Sequence, residues 1–313
     1  MNSLLVATNV VLPLLIYIAV GYTARLSRWV SGESFSQMNK LVFNVLLPCV
    51  LFENVYSVTI GEIVNPEFIA FGVGAALLLF ACGIPIACLL TRESAKRGVV
   101  LQAIFRSNFV LYGFPIVQSL YERERLGAVT LLVALIIPIF NVISVIALEM
   151  FRSGKISVIK IITGVIKNPM IIGAAAGMLC AIASFDIPQA LSRSLSGLTA
   201  AATPVSLIVL GGTFQRQTLG GNKKLLIQMA SLKLLIVPAI FLFIAVLLGF
   251  RDVELLTFVA LFGSPAAVSS FSMSQQMGAD SDLAGQNLLI TTVFSILTIF
   301  MWVSLLNRLA FII

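Results

Sequence analysis

The chain has no histidine and few charged residues. Its 313 residues include 13 Asp plus Glu and 20 Lys plus Arg, so only 11% of the sequence is charged. Without histidine there is no His-based catalytic dyad and no His-based zinc site, and the few aspartates lie near predicted helix ends. We therefore predict that the chain is not an enzyme and that it holds no metal or other cofactor.

Cysteine is scarce as well. The four cysteines all fall inside apolar stretches, where they behave as small apolar side chains: Cys49, Cys82, Cys88 and Cys180. This distribution does not predict a disulfide framework.

Most of the chain is apolar. Hydrophobic residues make up 59% of the chain, and the mean hydropathy is +1.06. A helix needs about 20 apolar residues to cross ~30 Å of hydrocarbon. Ten stretches meet this requirement: 3–25, 38–57, 67–90, 98–121, 126–151, 162–184, 191–214, 224–249, 254–278 and 282–307. We expect the first to be a membrane helix that stays in the protein and not a secretory signal that is removed. Short connections leave no room for a soluble domain, so we predict an all-α, multi-pass protein of the cell membrane that is surrounded by lipid bilayer.

The basic residues are unevenly distributed over the connections between these stretches. Odd-numbered connections hold most of them: Arg25, Arg28, Lys40, Arg92, Lys96, Arg97, Arg106, Arg152, Lys155, Lys160, Lys167, Arg216, Lys223, Lys224 and Lys233. Even-numbered connections hold Arg123, Arg125, Arg193 and Arg251. Lys and Arg stay cytoplasmic in short loops, so we predict that the odd-numbered connections are cytoplasmic. Both termini are then predicted to lie outside the cytoplasm. The net charge of +7 is scattered over separate loops, so we expect no nucleic-acid partner.

A short motif occurs twice, 150 positions apart, as Gly113-Phe114-Pro115 and Gly263-Ser264-Pro265. Other prolines keep nearly the same offset, in the pairs Pro13 with Pro169, Pro48 with Pro204 and Pro85 with Pro238. This pattern predicts an internal duplication into residues 1–156 and 157–313. Five spans per repeat is an odd number, so the second repeat enters the membrane in the opposite direction. Inverted repeats with matching interruptions are typical of secondary transporters.

Both motifs lie inside predicted spans, the fourth and the ninth. Proline is favoured at the first position of a helix and glycine tolerates unwound backbone, so each motif predicts a broken helix. Helices beginning at Pro115 and Pro265 would point their positive ends at the membrane midplane, which suits an anion. The alternative is that Gly and Pro only kink these helices.

Polar residues near the two breaks are the candidate ligands. Asn141 and Thr291 each follow the proline of their break by 26 positions, so the polar positions obey the repeat as well. The predicted substrate-binding set is Asn108, Tyr112, Gly113, Pro115, Asn141, Gly263, Ser264, Pro265 and Thr291. Such side chains also join membrane helices through hydrogen bonds, which is the alternative. Arg106 and Lys233 are candidates for attracting an anion, and the alternative for both is that they snorkel to the interface.

Several segments together resemble the auxin efflux carrier family: Gly21-Tyr22, Asn39 through Pro48, Asn108 through Pro115, Asn168-Pro169 and Gly263-Ser264-Pro265. That family includes bacterial carriers of malate or malonate and the plant PIN-type auxin exporters. The resemblance implies ten helices in a fold similar to bile-acid symporters and sodium/proton antiporters, with spans four and nine crossing at their breaks. It also implies a scaffold of spans 1, 2, 6 and 7 and a mobile core of spans 3–5 and 8–10. A homodimer through the scaffold helices is compatible with this arrangement. The long insertion of many plant members is missing, as in compact bacterial members.

The predicted function is therefore secondary transport of a small organic anion, a carboxylate, by elevator-like alternating access. An anion channel and a sodium-coupled organic-anion symporter are the alternatives, and a channel would need a continuous lined pore. No Asp or Glu lies between positions 255 and 279 or between 68 and 92, so we predict transport that does not depend on sodium.

Overall fold

The structure is a computed structural model that describes residues 2–57, 65–109, 116–118, 121, 126–152, 158–214 and 219–312. All regular secondary structure in these residues is helical. The first half contains α1 (Asn2–Leu26), α2 (Gly32–Leu41), α3 (Leu47–Tyr56), α4 (Pro66–Leu90), α5 (Ser94–Phe105) and α6 (Gly127–Arg152). The second half contains α7 (Val158–Ile166), α8 (Pro169–Ile182), α9 (Gln189–Thr213), α10 (Leu219–Ser231), α11 (Val237–Leu247), α12 (Asp252–Gly263), α13 (Val268–Gln276) and α14 (Ser281–Arg308).

Seven helices in the described part of the chain are long and apolar enough to cross a membrane. They are Gly32–Tyr56, Pro66–Leu90, Val129–Arg152, Gln189–Thr213, Gly221–Leu247, Asp252–Gln276 and Ser281–Arg308. Leu12–Leu26 and Pro169–Ile182 are shorter apolar helices. These helices confirm an all-helical, multi-pass membrane protein, while the ten-helix inverted repeat stays a prediction.

Asparagine and aspartate side chains fix where several helices begin. Asn65 precedes Pro66, and its side chain accepts hydrogen bonds from the first amides of α4. Asn168 precedes Pro169 in the same way and caps α8. Its position divides the predicted sixth span, 162–184, into α7 and α8, because a proline cannot donate the amide that would continue the helix. Asp280 caps α14, where its side chain accepts from the backbone N–H of Leu283.

Two π-turns lie immediately before prolines inside membrane helices. Residues 42–46 join α2 to α3 just before Pro48, and residues 232–236 join α10 to α11 just before Pro238. A proline in a helix leaves the carbonyl four residues earlier without its usual donor. Before Pro238 that carbonyl belongs to Leu234, and the indole Nε1 of Trp302 donates to it at 3.0 Å. The wider turn is therefore stabilised by a side chain from α14.

Glycines allow two pairs of helices to pack very closely. α1 packs on α9, where a Cβ on Gly21 or Gly211 would overlap a backbone carbonyl of the facing helix. α3 packs on α8, where a Cβ on Gly173 or Gly177 would press against the backbone of Pro48 or Phe52. Such small-residue contacts are typical of membrane helix interfaces. Helices of the predicted spans 1, 2, 6 and 7 thus contact each other directly.

The interrupted ninth span is the most deeply buried one that the structure describes. Within Asp252–Gln276, 94% of the most apolar window is buried. α12 packs against α4, α6, α11 and α14, and aromatic rings fill the contacts, as between Phe68 and Phe258 with centroids 5.0 Å apart. A break in a membrane helix must be buried in protein or face a wet cavity, because lipid cannot satisfy its backbone. The break at residues 264–267 is buried in protein.

Candidate functional site

Two interrupted helices meet at the centre of the structure. α5 ends at Phe105, and the next three residues, 106–108, leave the helical conformation. α12 ends at Gly263, and α13 begins only at Val268. The backbone N–H of Asn108 donates to the carbonyl oxygen of Pro265 at 2.8 Å. This hydrogen bond joins the two breaks directly.

The helix before the first motif ends earlier in the chain than the motif itself. In a continuing helix the amide of Asn108 would bond to Ile104, but it bonds to Pro265 instead, so the helix ends ahead of the Gly-Phe-Pro motif. Three predicted site residues, Tyr112, Gly113 and Pro115, lie outside the described residues. In the second break α13 begins three residues after Pro265, so the prediction that a helix starts at this proline is wrong by almost one turn.

Buried hydroxyl groups support the second break. The Thr291 hydroxyl accepts from the backbone N–H of Ala266 at 3.2 Å and donates to the carbonyl of Asn287 at 2.7 Å. The Ser264 hydroxyl donates to the carbonyl of Ala260. Both side chains are fully buried. In this structure they satisfy backbone groups and do not line the adjoining cavity.

A cavity of about 210 Å³ adjoins the two breaks. Residues 106–109, Ala267 and the first two residues of α13, Val268 and Ser269, line it. α6 contributes residues including Asn141, and α3 and α9 contribute Asn54, Thr199 and Thr203 among others. Ala267 provides no side-chain cap for α13. The first residues of this helix line the cavity, so its positive end lies at the cavity and favours an anion there.

Arg106 is the charged residue at this cavity, and only 3% of its surface is exposed. Its Nη2 donates to the Asn141 Oδ1 and the Ser269 Oγ, both at 2.6 Å. The Asn141 Nδ2 donates to the Ile137 carbonyl at 2.8 Å, which turns the Oδ1 toward the guanidinium. The ion pairs found in the described part of the chain are Lys96–Glu93 and Arg152–Glu149. Among the described residues, then, no carboxylate neutralises Arg106.

Three buried polar atoms that line the cavity have no hydrogen-bond partner. They are the Ser107 Oγ, the Asn108 Nδ2 and the Thr199 Oγ1. Hydroxyl and amide groups can all donate. Buried polar groups normally find partners, so unpartnered ones next to a cavity indicate a place for a ligand. Together with Arg106 they suit an anion that has several acceptor oxygens.

The predicted residues separate into three groups in the structure. Arg106, Asn108 and Asn141 line the cavity. Gly263, Ser264, Pro265 and Thr291 form or support the break beside it. Lys233 is buried in the second π-turn, has no hydrogen bond or ion pair with any described residue, and does not line the cavity.

Sequence reasoning missed the contribution of α3 and α9. Asn54, Thr199 and Thr203 face the cavity from these helices. Thr199 and Thr203 are four positions apart and therefore lie on one helix face. Two threonines with this spacing in an apolar stretch are a weak signal that could have identified them.

The membrane-length helices and the buried cavity are compatible with a protein that moves a solute across a membrane. A family model described as "Membrane transport protein" matches residues 6–303, so the chain belongs to this family, that of the auxin efflux carriers which its motifs resemble.

Three relatives match over nearly their whole length. A protein of Rhizobium meliloti (strain 1021), provisionally named a malonate transporter, is 27% identical over 303 residues, which cover 93% of each chain. An uncharacterized transporter of Methanocaldococcus jannaschii is 22% identical, over 95% of this chain and 98% of its own. An uncharacterized transporter of Methanothermobacter thermautotrophicus is 22% identical, over 95% of this chain and 97% of its own.

Proposed function

We propose that this protein is a secondary carrier of a small organic anion, a carboxylate, which binds in the cavity beside the two helix breaks. The observation that carries this proposal is Arg106, a buried cation with no carboxylate partner in the described part of the chain. Next to it in the chain are two buried side-chain donors without partners, the Ser107 hydroxyl and the Asn108 side-chain amide.

The energetics of Arg106 favour a bound anion. Burying an unpaired charge is costly, and a guanidinium cannot lower that cost by releasing its proton. A carboxylate accepts hydrogen bonds from arginine through two oxygens, and such charge-assisted bonds are roughly twice as strong as neutral ones. A carboxylate ligand would supply the missing counter-charge and accept from the free donors at once.

The cavity size favours a small ligand. Pockets for drug-sized molecules have volumes of roughly 300–1,000 Å³, and this cavity has about 210 Å³. The relative that is provisionally named a malonate transporter supports a short dicarboxylate as the class to test first. Malonate is therefore the probe we choose.

The packing supports alternating access. The cavity is lined by α3 and α9 and, as a second group, by residues 106–109, α6 and α13. α3 and α9 belong to the glycine-packed pairs α3–α8 and α1–α9, which suits a rigid scaffold. Movement of the second group of helices against this scaffold would carry the cavity from one membrane face to the other, as in an elevator.

Counterflow of radiolabelled malonate into proteoliposomes that are preloaded with malonate tests this proposal. A carrier exchanges labelled for unlabelled anion, so the label accumulates transiently and the rate saturates with malonate concentration. Protein-free liposomes are the control. A rate that grows linearly and without saturation would favour a channel, and no malonate counterflow at all would contradict transport of this anion.

A further inference from the structure

We infer that the cavity binds the two ends of its ligand through different interactions. Arg106 binds one carboxylate of the ligand through its positive charge. Thr199 and Asn54 form hydrogen bonds with the other end of the ligand, which is an uncharged acceptor. This inference rests on the proposed function and adds the feature by which the site selects among small anions.

The residues of α3 and α9 that line the cavity include polar side chains but no charged one. Asn54 of α3 and Thr199 of α9 are among the polar ones. The two helices are joined beside these residues, because the Ser196 hydroxyl donates to the Glu53 Oε1. The carboxylate of Glu53 belongs to the residue adjacent to Asn54 and does not line the cavity. A second full negative charge on the ligand would meet no cation among the lining residues of α3 and α9.

Thr199 provides a free donor among these residues. The residue as a whole is half-buried, but its hydroxyl is buried and has no partner. A buried hydroxyl that stays unpaired loses its interaction with water and gains nothing in return. An acceptor atom at the second end of a ligand would satisfy it. Asn54 adds an amide that can both donate and accept.

The charge of the lining residues predicts which anions the cavity selects. Of the described residues that line the cavity, Arg106 alone is charged. One carboxylate is therefore balanced, and nothing in this set balances a second one. The fitting ligand is a monoanion with a neutral acceptor one or two carbons from its carboxylate, or a dicarboxylate that carries one proton. A simple monocarboxylate leaves the Thr199 hydroxyl unpaired.

Competition against malonate counterflow in the wild-type protein tests this directly. The competitors are unlabelled malonate, its monoamide malonamate and acetate. Malonamate keeps an acceptor at its second end but lacks the second charge. We expect it to inhibit within about threefold of malonate, whereas acetate should be at least about tenfold weaker, since one lost hydrogen bond of about 1.4 kcal/mol is a factor of ten. Malonamate that is as weak as acetate would overturn the inference while leaving the proposed function intact.

Two variants assign the effect to Thr199. Thr199→Val removes the hydroxyl at nearly constant size, and we expect inhibition by malonate and malonamate to weaken about tenfold while inhibition by acetate stays unchanged. Thr199→Ser keeps the hydroxyl and should keep the preference. Thr213→Val is the matched control, because this threonine of α9 lies outside the cavity and its hydroxyl already donates to the Val209 carbonyl.

The pattern across competitors separates recognition from a structural role. Equal weakening of all three competitors by Thr199→Val would show that the residue only shapes the protein, and would overturn its assigned role. Absence of malonate counterflow in the wild type would overturn the proposed function and this inference together.

Discussion

The backbone amide of Asn108 and the carbonyl of Pro265 form a hydrogen bond of 2.8 Å. The two residues belong to different halves of the chain, and each lies where its helix has unwound. The bond replaces a helical one and so stabilises both breaks at once. It also fixes Arg106, two residues earlier, at the edge of the cavity.

Replacing Arg106 tests the main anion contact. Arg106→Gln removes the charge but keeps a polar side chain, and we expect the malonate KM to rise by roughly 10- to 100-fold, the equivalent of about 1.5–3 kcal/mol for a hydrogen bond to a charged group. Counterflow at varied malonate concentration measures this. The control is Arg152→Gln, because Arg152 is exposed and pairs with Glu149 at a helix end. An unchanged KM in Arg106→Gln would contradict the proposed site.

Asn141→Asp places a carboxylate where an amide oxygen now accepts from Arg106 at 2.6 Å. This internal anion would take the place of the ligand. We expect the unliganded variant to melt at a higher temperature than the wild type, because a buried cation gains a partner. The increase in melting temperature that malonate causes in the wild type should disappear, since only ligands that bind the folded state stabilise it.

Asn141→Ala is the matched control for this variant. It removes the acceptor without adding charge, so it should not raise the melting temperature of the unliganded protein. If Asn141→Asp binds malonate as tightly as the wild type does, the carboxylate does not bind at Arg106.

The sequence predicts helices better than it predicts the site. The spans 67–90 and 191–214 differ from α4 and α9 by no more than two residues at either end, because apolar length is a local property. The break in the ninth span was also predictable, since Gly263 and Pro265 mark it locally. The residues 106–108 contain neither Gly nor Pro, and their departure from the helix depends on a contact with a distant residue. No local pattern could show it.

The cavity itself was predictable only in part. Asn108 and Asn141 stood out because polar residues are costly in apolar spans. Thr199 did not stand out, because its role depends on which face of α9 turns toward the breaks. That orientation is set by the close packing of α1 on α9 at Gly21 and Gly211.

The glycine contact between α1 and α9 should be sensitive to a single methyl group. A Cβ at Gly211 would overlap the carbonyl oxygen of Ile18. We expect Gly211→Ala to lower the melting temperature in detergent, with a cost of about 1–3 kcal/mol from overpacking. Gly197→Ala is the control in the same helix, because nothing lies within 4 Å of a Cβ there. Equal melting temperatures for the two variants would show that the helices are not packed as described.

The distribution of basic residues predicts the orientation in the membrane. On a background without the four native cysteines, a cysteine at Ser94 should react with a membrane-impermeant maleimide only from the cytoplasmic side. A cysteine at Ser184, an exposed residue after α8, should react only from outside. The reverse pattern would invert the predicted topology and place both termini in the cytoplasm.

Sodium dependence is the remaining question about coupling, and the distribution of carboxylates predicts independence from sodium. In the described part of the chain no three Cys, Asp or Glu residues lie close enough together to hold a metal ion. A sodium site would have to use neutral oxygens, such as the unpartnered amide oxygens of Asn39, Gln102 and Asn287. Na⁺ is a hard cation that prefers oxygen ligands, and a carboxylate usually supplies part of the binding energy. We therefore expect malonate counterflow to proceed at the same rate when choline replaces sodium on both sides of the membrane. Strict dependence on sodium would show that the neutral oxygens do form such a site, and that the protein is a symporter.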